Sequence, residues 1–174
     1  MDKTKFQEVF NSVHIVQDPT ELFWLVNLVE KLNPKIIIEI GVEDGGSLKF
    51  WEQLLPEGGT LIGIDICDPQ PKVAWNWRGS SREIHLINGN SGDINVLQGV
   101  LQILNGRKVD FLFIDGEHSN QAVQRDFSLY SGFVRSGGLV GFHDLFEAMN
   151  FFRFLTGMRY SIAKSIGTGV WVKP

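Results

Sequence analysis

The stretch Ile36-Ile37-Ile38-Glu39-Ile40-Gly41-Val42-Glu43-Asp44-Gly45-Gly46-Ser47 constrains this chain more than any other. Its first five residues are β-branched except Glu39, the composition of a short strand covered on both faces by helices. Gly41 lets the backbone turn sharply where the strand stops. Gly45 and Gly46 let a ligand approach the main chain before Ser47 opens a helix, whose unpaired amides can receive a polar group. Strand, glycine turn and helix in that order read as a nucleotide-cofactor turn.

The rest of the chain repeats the alternation. Phe6, Val9, Phe10 and Val13 recur at helical spacing and predict a helix from Phe6 to Val16, within an arm over residues 1–18 that could serve as a flap or a dimer arm. Glu21 to Glu30, entered through Asp18-Pro19 and closed before Asn33-Pro34, predicts a second helix. After the glycine turn come a helix through Leu48, Phe50, Trp51 and Leu54, a strand from Thr60 to Ile66, and a strand from Glu83 to Ile87. Between the last two, Pro69, Pro71, Trp75 and Trp77 predict a short helix and a loop. A helix from Ile94 to Leu104, a strand from Val109 to Ile114 and a helix from Asn120 to Val134 follow. Gly137-Gly138 opens a strand from Leu139 to Phe142, and an aromatic helix spans Phe146 to Leu155. Tyr160 to Ser165 and Gly169 to Val172, joined through Gly167, predict a hairpin. The pattern implies an α/β fold: a Rossmann-like, doubly wound sheet, mostly parallel with a C-terminal antiparallel hairpin, with helices on both faces. Without repeat or linker, residues 1–174 read as one domain.

A net charge of −4 with scattered Lys and Arg leaves no basic stripe for a phosphate backbone, which argues against nucleic acid as a partner. No apolar run approaches the roughly 20 residues of a membrane span. A lone Cys67 and a polar N-terminus without a signal-peptide core predict a reduced, intracellular, cytoplasmic protein.

In a parallel sheet all strand carboxyl ends share one edge, where ligands bind. That edge collects Glu39, Asp65, Asn90, Asp93 and Asp115. Asp65, at the end of the second strand, is placed to accept hydrogen bonds from both hydroxyls of a ribose; capping the following turn is the plainer alternative. The glycine turn departs from Gly-x-Gly-x-x-Gly, and Glu43-Asp44 would repel a pyrophosphate, so a nicotinamide cofactor is disfavoured. A cofactor with a cationic or zwitterionic end suits the turn better.

Glu39-x-Gly41-x-x-x-Gly45-Gly46-Ser47 with Asp65 resembles the first two motifs of class I S-adenosylmethionine-dependent methyltransferases. The run Phe113 to Ser119, then Asp126-Phe127, then Val134 to Asp144, resembles the small-molecule O-methyltransferases that include macrolide-sugar methyltransferases, some of whose relatives carry the label cephalosporin hydroxylase. Ile166-Gly167-Thr168-Gly169-Val170 and Gln17-Asp18-Pro19-x-Glu21 extend the resemblance over almost the whole chain. It implies a cofactor site built from Glu39, Gly41, Val42, Glu43, Gly45, Gly46, Ser47, Asp65, Ile66, Asn90, Ser91 and Asp115. Asn90 stands where the family often has an acid, and an amide still donates to and accepts from a purine edge.

Asp115 and Asp144 end the fourth and fifth strands. Two carboxylates there suit Mg²⁺, which would acidify an acceptor hydroxyl and fix its oxygen. His118 first, and His143 second, are candidate bases, with loop capping the alternative for each. Similar metal-dependent enzymes place a further acid or amide where this chain has His143; with a histidine ligand, Mn²⁺ or Fe²⁺ becomes as suitable as Mg²⁺. The aromatic residues from Phe142 to Phe154 serve either helix packing or an acceptor wall. The expected activity is S-adenosylmethionine-dependent O-methylation of a small hydroxylated metabolite. The alternative is a cofactor-binding protein without transferase activity. A short segment after the fifth strand leaves the acceptor site open or completed by a second subunit in a homo-oligomer.

Overall fold

The computed structural model describes residues 1–68 and 80–174. Among these, seven strands form one sheet: β1 (Ile36–Ile40), β2 (Thr60–Asp65), β3 (Glu83–Asn88), β4 (Val109–Ile114), β5 (Val134–Phe142), β6 (Arg159–Ile162) and β7 (Thr168–Val172). Their order is β3-β2-β1-β4-β5-β7-β6. β1 to β5 run parallel, whereas β7 lies antiparallel to β5 and β6 antiparallel to β7, as the Gly167 hairpin predicts. The helices are α1 (Lys3–Ser12), α2 (Pro19–Glu30), α3 (Gly46–Leu54), α4 (Ile94–Leu104), α5 (Asn120–Tyr130) and α6 (Leu145–Phe154).

Alternation along the strands divides the core in two. Ile36, Ile38 and Ile40 face one way and pack with Ile62, Ile64, Leu112 and Ile114 beneath α4, α5 and α6. Ile37, Leu61, Phe111 and Phe113 face the other way, against α1, α2 and α3. Trp51 of α3 meets Phe111 and Phe113 edge-on at 5.1 and 5.6 Å between centroids, a favoured aromatic geometry. β1 is buried along its whole length, which accounts for its apolar run. The chain leaves β1 toward β2 on one side and later returns to β4 on the other, so the crevice at the switch opens above the ends of β1 and β4.

Several expectations need correction. The first helix stops at Ser12, and Val13 turns extended because residues 13–18 cross over the start of α3. Nor does α1 stand free as an arm: Phe6 contacts the rings of Phe10, Phe23 and Phe50 at 4.9 to 5.8 Å. The helix expected to reach Val134 ends at Tyr130 in a short 3₁₀ turn, and Val134 already belongs to β5. β5 pairs through Val134 with Val109, then shifts register across the polar Ser136-Gly137-Gly138 bulge that hid its first half. Phe142 and Phe152 are core, Phe151 packs against it, and Phe146 and Phe154 are exposed. The short helix predicted around Trp75 and Trp77 falls outside the described residues.

Gly41 sits at φ +87°, and a Cβ there would come within 2.1 Å of the Asp115 carbonyl oxygen. Gly41→Ala is therefore expected to lower stability by at least about 2 kcal/mol, read from urea unfolding, because both backbones are held by the sheet.

Candidate active site

A cavity of about 660 Å³ opens at the carboxyl edge of the sheet. Gly41, Val42, Glu43, Gly46, Ser47, Asp65, Ile66, Asn90, Ser91, Asp115, His118, His143 and Asp144 all line it. Glu39 and Gly45 support the turn from beneath without reaching the lining.

Asp65 ends β2 and ties the glycine turn in place. Its Oδ2 accepts from the Val42 and Glu43 N–H groups at 2.7 and 2.8 Å, and its Oδ1 accepts from the Cys67 N–H at 2.8 Å. Both readings of this residue meet here: it caps the turn, and Oδ1 keeps a second lone pair for a ligand. Gly46 has a different reason than close approach to a ligand. A Cβ there would lie 2.3 Å from the His14 carbonyl oxygen, so the residue is small to let the strap of residues 13–18 pass. Asn90 closes its own loop by accepting from the Gly92 N–H at 2.8 Å, which leaves its amide nitrogen available. Ser91 is gripped from α5. Its hydroxyl donates to Asp126 at 2.8 Å, Arg125 donates to it at 3.2 Å, and Tyr130 donates to its carbonyl at 2.7 Å.

Glu39 is completely buried, and neither carboxyl oxygen has a hydrogen-bond partner among the described residues. Burial pushes its pKa well above the usual carboxylate range. The Ser47 hydroxyl and Trp51 N–H pull the other way without reaching hydrogen-bond geometry, and the charges of Asp115 and Asp65 raise it further. Burial thus favours its neutral form.

Beyond β4 and β5, acids and imidazoles alternate. Gln17 Nε2 donates to Asp115 Oδ2 at 2.6 Å, and His143 Nδ1 lies 3.0 Å from Asp115 Oδ1. The same nitrogen is 3.3 Å from Asp144 Oδ2, which also receives His118 Nδ1 at 2.8 Å. Burial works against a charged His143 ring, but its bond to Asp115 and the charges of Asp115 and Asp144 outweigh that and lift it to about 8. The ring is thus held between the two strand-end carboxylates. His118 is exposed and free to meet a substrate. Asp115, His118 and Asp144 each offer one ligand atom, all within 4.8 Å of one another. Two carboxylates and an imidazole suit a divalent cation, with Mn²⁺ served as well as Mg²⁺.

The strap was not picked out as part of the site. His14, Ile15, Val16 and Gln17 roof the cavity, His14 pairs with Asp44 at 2.9 Å, and Arg125 and Ile166 close two further sides. Beside the flap reading of residues 1–18, the Gln17-Asp18-Pro19-x-Glu21 motif is the sequence signal in this segment.

Strand order, a cavity at the β1/β4 switch, and an acid ending β2 define a Rossmann-like fold of the kind that serves methyltransferases. The sequence model of the rhamnosyl O-methyltransferase/CmcI family matches residues 3–149, and the chain belongs to that family. It is 33% identical over 124 residues to tapetum-specific methyltransferase 1 of Arabidopsis thaliana, covering 70% of this chain and 52% of that one. The MycE methyltransferase of the mycinamycin biosynthetic pathway, solved with Mg, SAH and mycinamycin VI, is 28% identical over 64% of this chain and 30% of its own, with a TM-score of 0.52. A caffeoyl-CoA O-methyltransferase-like structure from Staphylococcus aureus shares the fold over 98% of this chain and 90% of its own, with a TM-score of 0.73 at 19% identity. The chain spans about half the length of the curated relatives it matches first. No helix among the described residues is long and apolar enough to cross a membrane.

Because Glu39 titrates above its usual 4.5 in the folded state, its stability contribution is fully present below that value and is lost as pH rises. Glu39→Gln is expected to gain on the parent as pH rises above 4.5, with the two equal below it. Urea midpoints of the ligand-free proteins at about pH 4 and about pH 7 check this.

Proposed function

We propose that this protein is an S-adenosylmethionine-dependent O-methyltransferase acting on a hydroxyl of a small molecule with the help of a divalent cation. The observation that carries the reading is the Asp115, His118, Asp144 cluster within 4.8 Å, at the edge of a cavity whose far side is the Asp65-pinned glycine turn. Family membership and the MycE complex with Mg, SAH and mycinamycin VI support it. The donor set fits a divalent ion, and the acidic turn fits a cofactor whose methionine end carries an ammonium and a sulfonium.

When bound, the cofactor would supply an electrophilic methyl group, and Asp115 and Asp144 would hold a cation that would acidify the acceptor hydroxyl. The residues of the chain do the rest. Asp65 and the turn from Gly41 to Ser47 hold the ribose and methionine part, and Asn90 with Ser91 borders the adenine. His118, exposed on the acceptor side, removes the hydroxyl proton through its second ring nitrogen while Asp144 fixes the first. His143, buried, bridges Asp115 and Asp144 and keeps the two carboxylates converging. The position of His118 in the same cluster favours one other reading, in which it is the third metal ligand.

Calorimetric titration with S-adenosylmethionine and S-adenosylhomocysteine, with NAD as control, is expected to give micromolar binding of the first two alone; no binding of either overturns the proposal. Asp115→Asn is expected to abolish metal-dependent turnover while leaving cofactor affinity nearly unchanged, and turnover that survives a chelator removes the metal role. His118→Gln separates its two readings: a base loses about 100-fold or more in kcat with Mn²⁺ affinity intact, whereas a ligand loses Mn²⁺ affinity as well.

A further inference from the structure

Glu21, on the first turn of α2, is fully buried with no ion pair among the described residues, and its carboxylate is spent on the loop between β6 and β7. Its Oε1 accepts from the N–H groups of Lys164, Ser165 and Gly167 at 2.6, 2.7 and 3.3 Å, and its Oε2 accepts from the Thr168 hydroxyl at 3.1 Å. A buried carboxylate is stable only when bonded so, and here one side chain ties down four residues of the 164–168 segment.

That loop in turn caps α6. The Leu145 N–H donates to the Gly167 carbonyl at 2.9 Å and the Phe146 N–H to the Ile166 carbonyl at 3.3 Å. Phe146 is the second helical position, whose amide an N-cap aspartate ordinarily satisfies with its side chain; here the loop takes that amide and the preceding Leu145 amide as well. Asp144 occupies the N-cap position, yet makes no side-chain cap bond, and it stands in the left-handed region at φ 48°, which is costly for a residue with a side chain. Its carboxylate points instead to His118 and His143.

We infer that Glu21 is a positioning residue for Asp144: by holding the 164–168 loop over the start of α6 it relieves Asp144 of capping duty and turns that carboxylate into the acid–imidazole cluster. The inference rests on the proposed role of the cluster in holding a cation. Glu21 also follows the strap whose Gln17 bonds Asp115, so one turn of α2 reaches both strand-end acids, Asp115 through the chain and Asp144 through the loop.

The test compares Glu21→Ala with Glu21→Gln, which keeps an acceptor for the amides and can donate to Thr168. Three readouts are taken on folded protein: hydrogen exchange of the Leu145 and Phe146 amides by NMR, Mn²⁺ affinity by electron paramagnetic resonance, and S-adenosylmethionine affinity by calorimetry. Expected for Glu21→Ala are faster exchange at both amides and a roughly 10- to 100-fold loss of Mn²⁺ affinity, with cofactor affinity changed less than about twofold and most of the loss restored in Glu21→Gln. Unchanged exchange overturns the inference, and so does faster exchange with Mn²⁺ affinity intact, which would leave Glu21 a purely structural clamp. Thr168→Val, which removes one of the four bonds, is expected to give an intermediate result and serves the same comparison where Glu21→Ala does not fold. If the parent protein binds neither Mn²⁺ nor S-adenosylmethionine, the proposed function fails, while the exchange rates still decide whether Glu21 holds the start of α6.

Discussion

The site depends on backbone pressed against backbone where β1 and β4 end. Gly41 lies so close to the Asp115 carbonyl that no side chain fits between them, and the Asp115 N–H donates to the Ile40 carbonyl at 2.8 Å. This contact fixes the glycine turn and the first acid of the cluster as a single rigid corner. The turn is then held from its other side by Asp65, so three strand ends set the shape of one wall through short-range bonds. Rigid strand ends hold reactive groups more accurately than loops do.

Electrostatics on that corner are unusual in sign and well separated. Burial shifts Glu39 toward its neutral form, in a region that already holds Asp65 and Asp115. His143 is shifted toward its charged form instead, because Asp115 and Asp144 outweigh its burial. Its Nε2 has no partner among the described residues, so the ring is held through one nitrogen. The imidazole of His143 thus sits between the two aspartates, and His118 approaches Asp144 from the exposed side.

Much of this could be read from the amino acids. Parallel strands with both faces covered are nearly pure Ile, Leu, Val and Phe, so β1, β2 and β4 stood out, and the turn chemistry after each fixed where the acids would gather. Asp65, Asp115 and Asp144 were found because a strand end is a position. The N-terminal strap was not, because Val13 continues the helical spacing of Phe6 and Val9, and periodicity carries no information about the extended path the segment takes over Gly46. The first half of β5 was lost to its polar bulge, and the work of Glu21 lies in partners well over a hundred residues away, which no local pattern encodes.

That sequence distance has a kinetic side. The bonds of Glu21 join positions separated by 143 to 147 residues, among the longest loops this chain can close. Closing a long loop costs chain entropy before any contact repays it, so such contacts form late. The glycine turn, Asp65 and Asp115 all lie in the segment through β4 and can assemble before the last hairpin is in place. The cluster around Asp144 cannot, so the acid–imidazole side of the cavity is expected to form after the side built by the glycine turn.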